Sequence, residues 1–390
     1  MPSLRRLAGR NRSAPVRVEA PLALLDVRRE GPAPLSGEGP ARALADRLRV
    51  AFVIPSFRRG SGGHATIANL VRGLEARGHQ LALFVVDQQG RHAEDDVEQL
   101  FSSFFGPLAA PVLKGLDGWR GADVVVATGW QTVPEVLKLP DTGARAYLVQ
   151  DHEPEFYPTS AERLWAEWTY RQGLHCVCAS PWLAELVSGR YGASATAFDL
   201  GVDHAAYHPL PTHRRDDLVL FYARAVTPRR AVPLGVLALT ELHRRRPEIE
   251  LAVFGEAAGL ELPFPARQLG VMEPDDLAHA YASATVGLCL SLTNPSLIPT
   301  EMMACGLPVV DIASEAMVAT FGAGGPVTLA EPDPLALCDA IEGLLDDLAA
   351  RAERSREGTE LVAGRTWEGA AAEVEGGLRA ALKDASKVHS

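Results

Sequence analysis

LRVAFVIPSFRRGSGGHATIANLVRGLEARGHQLALFVVD, Leu48 to Asp87, contains one complete structural unit. LRVAFVIP is apolar without alternation, as a strand covered on both faces must be, and it ends at Pro55. From Ala65 to Arg77, Ile67, Leu70, Val71 and Leu74 recur at helical spacing, and Gly78 closes the helix. QLALFVVD then reads as a second buried strand, which makes a β-α-β unit with the right-handed crossover that a parallel sheet requires. ADVVVATG (122–129) and RAYLVQD (145–151) continue the pattern. It resumes after the hinge-like YHPLPTHRRDD (207–217) with LVLFYAR, a helix around Val236 to His243, IELAVFG, TVGLCLSL and LPVVDI. The expectation is α/β, with two doubly wound Rossmann-like domains: 49–210 first, 211–370 second.

The flanks differ from this pattern. Residues 1–48 are rich in Pro, Gly and Arg and show no sustained period, so they read as an extension outside the first core, partly disordered. The end of the chain, DPLALCDAIEGLLDDLAARAERS (333–355) and WEGAAAEVEGGLRAALKDA (367–385), is helical in period, with 371–390 as the closing helix.

A length of 390 residues exceeds what one core usually organises. The net charge of -11 argues against nucleic acid as the main partner, because a phosphate-binding face needs a surplus of Lys and Arg. Cys176, Cys178, Cys289, Cys305 and Cys338 include no C-x-x-C pair and sit in apolar runs, which fits free thiols in a reducing cytoplasm. No apolar run approaches the roughly 20 residues of a membrane span, and the arginines at the start precede no apolar signal region. Arg5, Arg6, Arg10, Arg12 and Arg17 suit either peripheral contact with an anionic membrane or a plain leader.

Four segments can carry chemistry. In GSGGH (60–64), between strand and helix, Gly62 and Gly63 offer backbone N–H groups to an anion, with His64 beside them; a flexible turn has the same composition. In ARAVTPRR, Arg224 directly follows a strand and Arg229 and Arg230 lie one turn on, where forked guanidinium donors meet a diphosphate or merely solvent. In TNPSLIPTEMMACGLPVV (293–310), Pro299-Thr300-Glu301 reads as a helix start: Glu301 can accept two ribose hydroxyls or serve the helix dipole, and Ser296, Leu297 and Thr300 lie on the loop before it. In QDHEPEFYP, Asp151, His152, Glu153 and Glu155 can orient or deprotonate an acceptor hydroxyl, or form a polar interdomain loop. Trp130 suits either a sugar platform or the core.

The segment with Glu301, Met303, Ala304, Gly306, Pro308 and Val309 resembles the donor loop E-G-x-G-x-x-x-x-E-A-M-A-x-G-x-P-V of retaining GT-B glycosyltransferases of family four. The first glutamate of that pattern is absent. Thr293 stands in its place, followed by Asn294-Pro295-Ser296, and this departure is similar to the branch with bacterial rhamnosyltransferases of surface polysaccharides. SGGHATIANLVRGLEARGH, YLVQDHEPEFYP and FYARAVTPRRA agree, and the likeness runs from about Arg49 to the C-terminus. The resemblance implies a GT-B fold with two domains facing a cleft. It implies transfer, with retention, of a hexose or deoxyhexose, rhamnose favoured, from a dTDP-sugar to a hydroxyl of a glycan, glycolipid or metabolite.

By position Arg224 matches the family's diphosphate arginine and Arg229 its lysine, and Gly255 and Val271 join the donor residues. With His152 and Asp151, the two arginines are the expected catalytic groups, and Trp130, Asp151, His152, Glu153 and Glu155 the acceptor side. No cofactor and no metal is expected: there is no D-x-D motif, and Asp216-Asp217 lacks supporting ligands. A nicotinamide oxidoreductase fits less well, since the glycine turn lacks the dinucleotide fingerprint. A nucleotide-sugar epimerase and a non-catalytic binder of nucleotide sugars remain as alternatives.

Overall fold

The computed structural model describes residues 20–37 and 39–385. A first sheet of seven parallel strands comprises β1 (Arg49–Pro55), β2 (Gln80–Val86), β3 (Val112–Lys114), β4 (Ala122–Ala127), β5 (Thr142–Val149), β6 (His175–Cys178) and β7 (Ala195–Ala197). Their spatial order is β3-β2-β1-β4-β5-β6-β7. The second sheet comprises β8 (Leu218–Tyr222), β9 (Glu250–Phe254), β10 (Arg267–Gly270), β11 (Val286–Leu288), β12 (Val309–Ile312) and β13 (Val327–Ala330), in the order β10-β9-β8-β11-β12-β13. Both sheets reverse direction beside their own first strand, at β1/β4 and at β8/β11. Beyond the carboxyl ends of the strands at such a reversal lies the crevice where open α/β sheets bind ligands.

The continuous apolar runs have their reason here: every residue of β4 is buried, because helices cover both faces. The helix after β1 spans Gly62–Ala76 and buries Thr66, Ile67, Leu70, Val71 and Leu74. It starts three residues earlier than its apolar period indicates, since Gly62 and Gly63 adopt helical geometry and belong to its first turn.

Residues 20–37 and 39–48 do not lie outside the first core. Helix Leu22–Glu30 buries Ala23 and Val27 and packs on helix Val133–Lys138, and Val27, Ala43 and Leu48 join the core of the first sheet. Ala33 N donates to Leu137 O and Ser36 N to Thr142 O, while Arg42 and Arg49 both pair with the buried Asp123. Burial alone pushes the Asp123 carboxyl up, but the two guanidinium groups and the Arg49 amide bring it below its usual range. The expected disorder of the first residues falls on 1–19, outside the described residues.

The long helical run after Pro334 is two helices, Pro334–Asp346 and Leu348–Val362, because the Asp347 carboxylate accepts from Ala349 N and Ala350 N and starts a new helix. The closing helix, Trp367–Asp384, returns to the first domain and packs on helix Gly62–Ala76 and on β5 and β6. Near its middle Glu375 is gripped by Arg77, His79 and Arg379. The five cysteines are buried and unpaired.

Candidate functional site

The carboxyl ends of the two sheets face each other. From the first domain come the turn after β1, Gly129–Trp130 after β4 and Gln150–Tyr157 after β5. From the second come Arg224–Arg230 after β8, Gly255 after β9, Val271 after β10, and Cys289–Ser296 after β11, leading into helix Leu297–Ala304.

Arg224 donates from Nη1 to Gly60 O across the cleft, 3.1 Å away, and among the described residues no carboxylate pairs with it. Opposite it, Gly62 and Gly63 are exposed at the N-terminus of a 15-residue helix. A side chain at Gly62 would point into open space, whereas Gly60 has φ +74° with Arg224 and Val271 just beyond. Gly255 is held at φ +100° against the Tyr222 ring, where a Cβ would come within 2.7 Å, so the chain turns there only with glycine. Val271 is exposed. His64 bonds Ser61 Oγ through Nδ1 at 2.8 Å and stacks on Phe105. Burial, with His92 and Arg58 nearby, lowers its pKa to about 4, so the ring is neutral at physiological pH.

Arg229 lies between the domains. Its Nε is 3.1 Å from Asp151 Oδ2 and its guanidinium stacks on the Phe156 ring at 4.0 Å. Asp151 also accepts from His152 N, Asn294 N and Thr293 Oγ1, so both oxygens are engaged. Arg230, which the sequence sets beside Arg229 as a second free guanidinium, is instead buried with Nη1 3.3 Å from Ser291 Oγ. Near it Asp311 Oδ1 accepts from Ser291 N and Ile312 N, and its other oxygen is buried without a hydrogen-bond partner among the described residues. Burial pushes the Asp311 carboxyl up to about 7, against the pull of these amides, Ser291 and Arg230.

Helix Leu297–Ala304 begins before Pro299, which places Glu301 in its second turn instead of at its start. The Ser296 hydroxyl at its head is buried without a hydrogen-bond partner among the described residues, Leu297 is half-buried, and Thr300 Oγ1 is occupied by Leu297 O at 2.7 Å. Burial beside Tyr207 and Tyr281 pushes the Glu301 carboxyl up to about 8; the Tyr281 hydroxyl lowers it and Asp203 raises it.

Three expected acceptor groups are enclosed. His152 has no exposed surface: Nε2 meets Tyr191 OH at 2.7 Å and the ring stacks on Tyr170, so in this conformation it reaches no acceptor. Glu153 accepts from Trp130 N and Tyr147 OH, and burial raises its carboxyl to about 7. Trp130 is no open platform: its Nε1 donates to Tyr157 OH and its ring packs against Tyr157 and Trp165. Only Glu155 of this group is exposed. Asp216 pairs with Arg351 and Asp217 with Arg215, which accounts for that acidic pair.

Thr293 and Asn294, no part of the expected site, also stand at this junction. The Asn-Pro dipeptide was the available signal, but its partners, Gln150, Asp151, Ala179 and Ser180, come from another domain.

A family model described as WsaF, C-terminal domain, matches residues 217–342. The chain is 33% identical over 267 residues to the O-antigen biosynthesis protein RfbC of Myxococcus xanthus, and the match covers 66% of this chain but only 20% of RfbC. Among solved structures it resembles HepE of Anabaena in complex with UDP and glucose (TM-score 0.64, 13% identity, 86% of this chain and 99% of that one). It also resembles sucrose-phosphate synthase of Thermosynechococcus elongatus (0.61, 15%, 84% and 97%) and a glycosyltransferase of Rickettsia africae (0.60, 13%, 89% and 100%). At these identities the likeness is one of fold, and the fold is GT-B.

Proposed function

We propose that the chain is a glycosyltransferase that moves a sugar from a nucleoside diphosphate to a hydroxyl acceptor in the assembly of a surface polysaccharide. One observation carries the reading. Arg224, with no carboxylate partner among the described residues, faces the open helix end at Gly62 and Gly63, and a Ser296 hydroxyl unsatisfied among the same residues heads the helix that bears Glu301. Two helix N-termini and a guanidinium not neutralised by any carboxylate among the described residues, around one cleft, make a site for a diphosphate.

Glycosyl transfer builds negative charge on the leaving phosphate and oxocarbenium character on the sugar, so fixed positive groups at the phosphate stabilise the transition state. In this proposal Arg224 and Arg229 take that role. Gly255 and Val271 border the nucleoside, and Glu301 takes the ribose hydroxyls. Gly62, Gly63, neutral His64, Ser296, Leu297 and Thr300 line the phosphate and sugar. Asp151 orients Arg229, and Glu155 meets the acceptor at the cleft mouth.

The O-antigen name of the Myxococcus relative supports the polysaccharide setting. The UDP and glucose bound by HepE support a nucleotide sugar as donor. Rhamnose, a thymidine nucleotide, retention and transfer without a metal are the finer parts of the proposal: the Thr293-Asn294-Pro295 resemblance supports the deoxysugar donor, the likeness of the Glu301 loop supports retention, and the lack of a D-x-D motif in the sequence supports transfer without a metal. No helix among the described residues is long and apolar enough to cross a membrane. A lipid-linked acceptor, where the acceptor is one, is proposed to be met at the membrane surface.

The test is a thermal-shift screen of nucleoside diphosphates and nucleotide sugars without added metal, since a ligand of the folded state alone raises the unfolding midpoint. The expected result is a shift with thymidine or uridine diphosphates that Arg224→Ala abolishes while its own unliganded midpoint stays unchanged. Stabilisation by a nicotinamide instead would overturn the reading.

A further inference from the structure

Between β11 and helix Leu297–Ala304, four consecutive residues are tied to both domains. On the second domain's side, Ser291 N donates to Asp311 Oδ1, Ser291 O accepts from Ser314 Oγ at 3.0 Å, and Leu292 N donates to Arg229 O at 3.1 Å. On the other side, Thr293 Oγ1 donates to Asp151 Oδ2 at 3.0 Å and Asn294 N to Asp151 Oδ1 at 3.1 Å. The Asn294 side chain is wholly committed across the gap. Its Nδ2 donates to Gln150 O (3.1 Å) and Ala179 O (3.2 Å), and its Oδ1 accepts from Ser180 Oγ (2.9 Å). Thr293 and Asn294 are 3% and 1% exposed, so neither has surface left for a sugar.

These partners stand at the carboxyl ends of β5 and β6. Separating the domains strips the Gln150 carbonyl, the buried Ala179 carbonyl and the Asp151 carboxylate of donors at once, and Pro295 then passes any movement of Asn294 stiffly into the helix that follows.

We propose that Asn294, with Thr293, is a positioning residue: an interdomain clasp that keeps the cleft closed and sets the head of helix Leu297–Ala304 against Gly62 and Gly63. The structural half of this stands alone, and the kinetic half rests on the transferase reading.

Asn294→Asp is the sharpest probe, because it turns a donor facing two carbonyls into an acceptor at nearly constant size. With the full chain and no donor, small-angle scattering is expected to show a larger radius of gyration than the wild type. Amide exchange at the Asp151–Asn294 contact is expected to speed up about tenfold or more, as loss of several hydrogen bonds implies. With donor and acceptor, kcat is expected to fall by a similar factor and KM for the donor to rise, because the helix head and the Gly62–Gly63 turn that share the donor move apart. A folded variant with wild-type scattering and exchange overturns the clasp, and a lowered melting point with unchanged kcat overturns its positioning role. Should Asn294→Asp not fold, Thr293→Val, which removes only the hydroxyl, carries the same expectations in smaller measure. If the wild type transfers no sugar, the transferase reading fails while scattering and exchange still decide the clasp.

Discussion

Glu301 shows how surroundings set the chemistry of one side chain. Burial beside Tyr207 and Tyr281 raises its carboxyl to about 8, so it holds a proton at neutral pH. If it receives ribose hydroxyls, the ionised form is the better acceptor, and donor binding is coupled to loss of that proton. Wild-type affinity for a nucleotide sugar should therefore rise between pH 6.5 and 8.5. Glu301→Gln should weaken binding by roughly 1.5–3 kcal/mol at the upper pH and by less at the lower one. Titration calorimetry at both values checks this, and a slope that survives in the variant would move the coupling to another group. Arg224 was legible in the sequence, because a residue directly after a buried strand is delivered to the carboxyl edge. His152, Glu153 and Trp130 were not. What encloses them is a set of aromatic side chains, Tyr147, Tyr157, Trp165, Tyr170 and Tyr191, from separate elements, and no local spacing reveals such a neighbourhood.

Among the elements, helix Trp367–Asp384 shows why some glycines stand inside helices that would otherwise reject them. A Cβ on Gly73, in the last turn of helix Gly62–Ala76, would lie 2.4 Å from the Ala371 Cβ of the closing helix, a contact that only movement of a helix relieves. Gly376, exposed on that closing helix, meets nothing within 4 Å. Gly73→Ala should lower stability by about 1–3 kcal/mol through overpacking, whereas Gly376→Ala should raise it by about 0.5–1 kcal/mol through helix propensity. Denaturant midpoints of the two variants check the contrast, and equal shifts in both would mean that the two helices do not pack this closely. Legibility at this scale followed length and burial. The strands named from sequence are long apolar runs, while β3 and β7 have three residues each at the sheet edges and give no pattern to read. Helix Leu22–Glu30 escaped because it buries only Ala23 and Val27, too few positions to mark a face among charged neighbours.

For the molecule as a whole, the two repeated strand-helix patterns were enough to foresee two doubly wound sheets. The return of the closing helix to the first domain was not readable, since an apolar face does not say which sheet it covers. The buried charges of this architecture make stability depend on pH in a definite direction. Burial raises Glu301 from its ordinary 4.5 to about 8, Glu153 from 4.5 to about 7 and Asp311 from 3.8 to about 7. Each favours folding fully below its ordinary value and loses that contribution as pH rises through the raised one. His64, lowered from 6.5 to about 4, behaves oppositely: its contribution is complete above 6.5 and lost only towards acid. Glu375, drawn down to about 2 by Arg77, Arg379 and His79 against the upward push of burial, likewise stays ionised throughout the neutral range. Between pH 6.5 and 8 the three raised carboxyls therefore decide the slope, and self-repulsion at a net charge of -11 acts in the same direction. The unfolding midpoint of the donor-free protein should fall steadily across that interval, and Glu301→Gln should flatten its upper part. A level midpoint in the wild type would mean that water reaches these carboxyls and that they ionise as freely in the folded chain as in the unfolded one. A fall that Glu301→Gln leaves untouched would assign the slope to Glu153 and Asp311 alone.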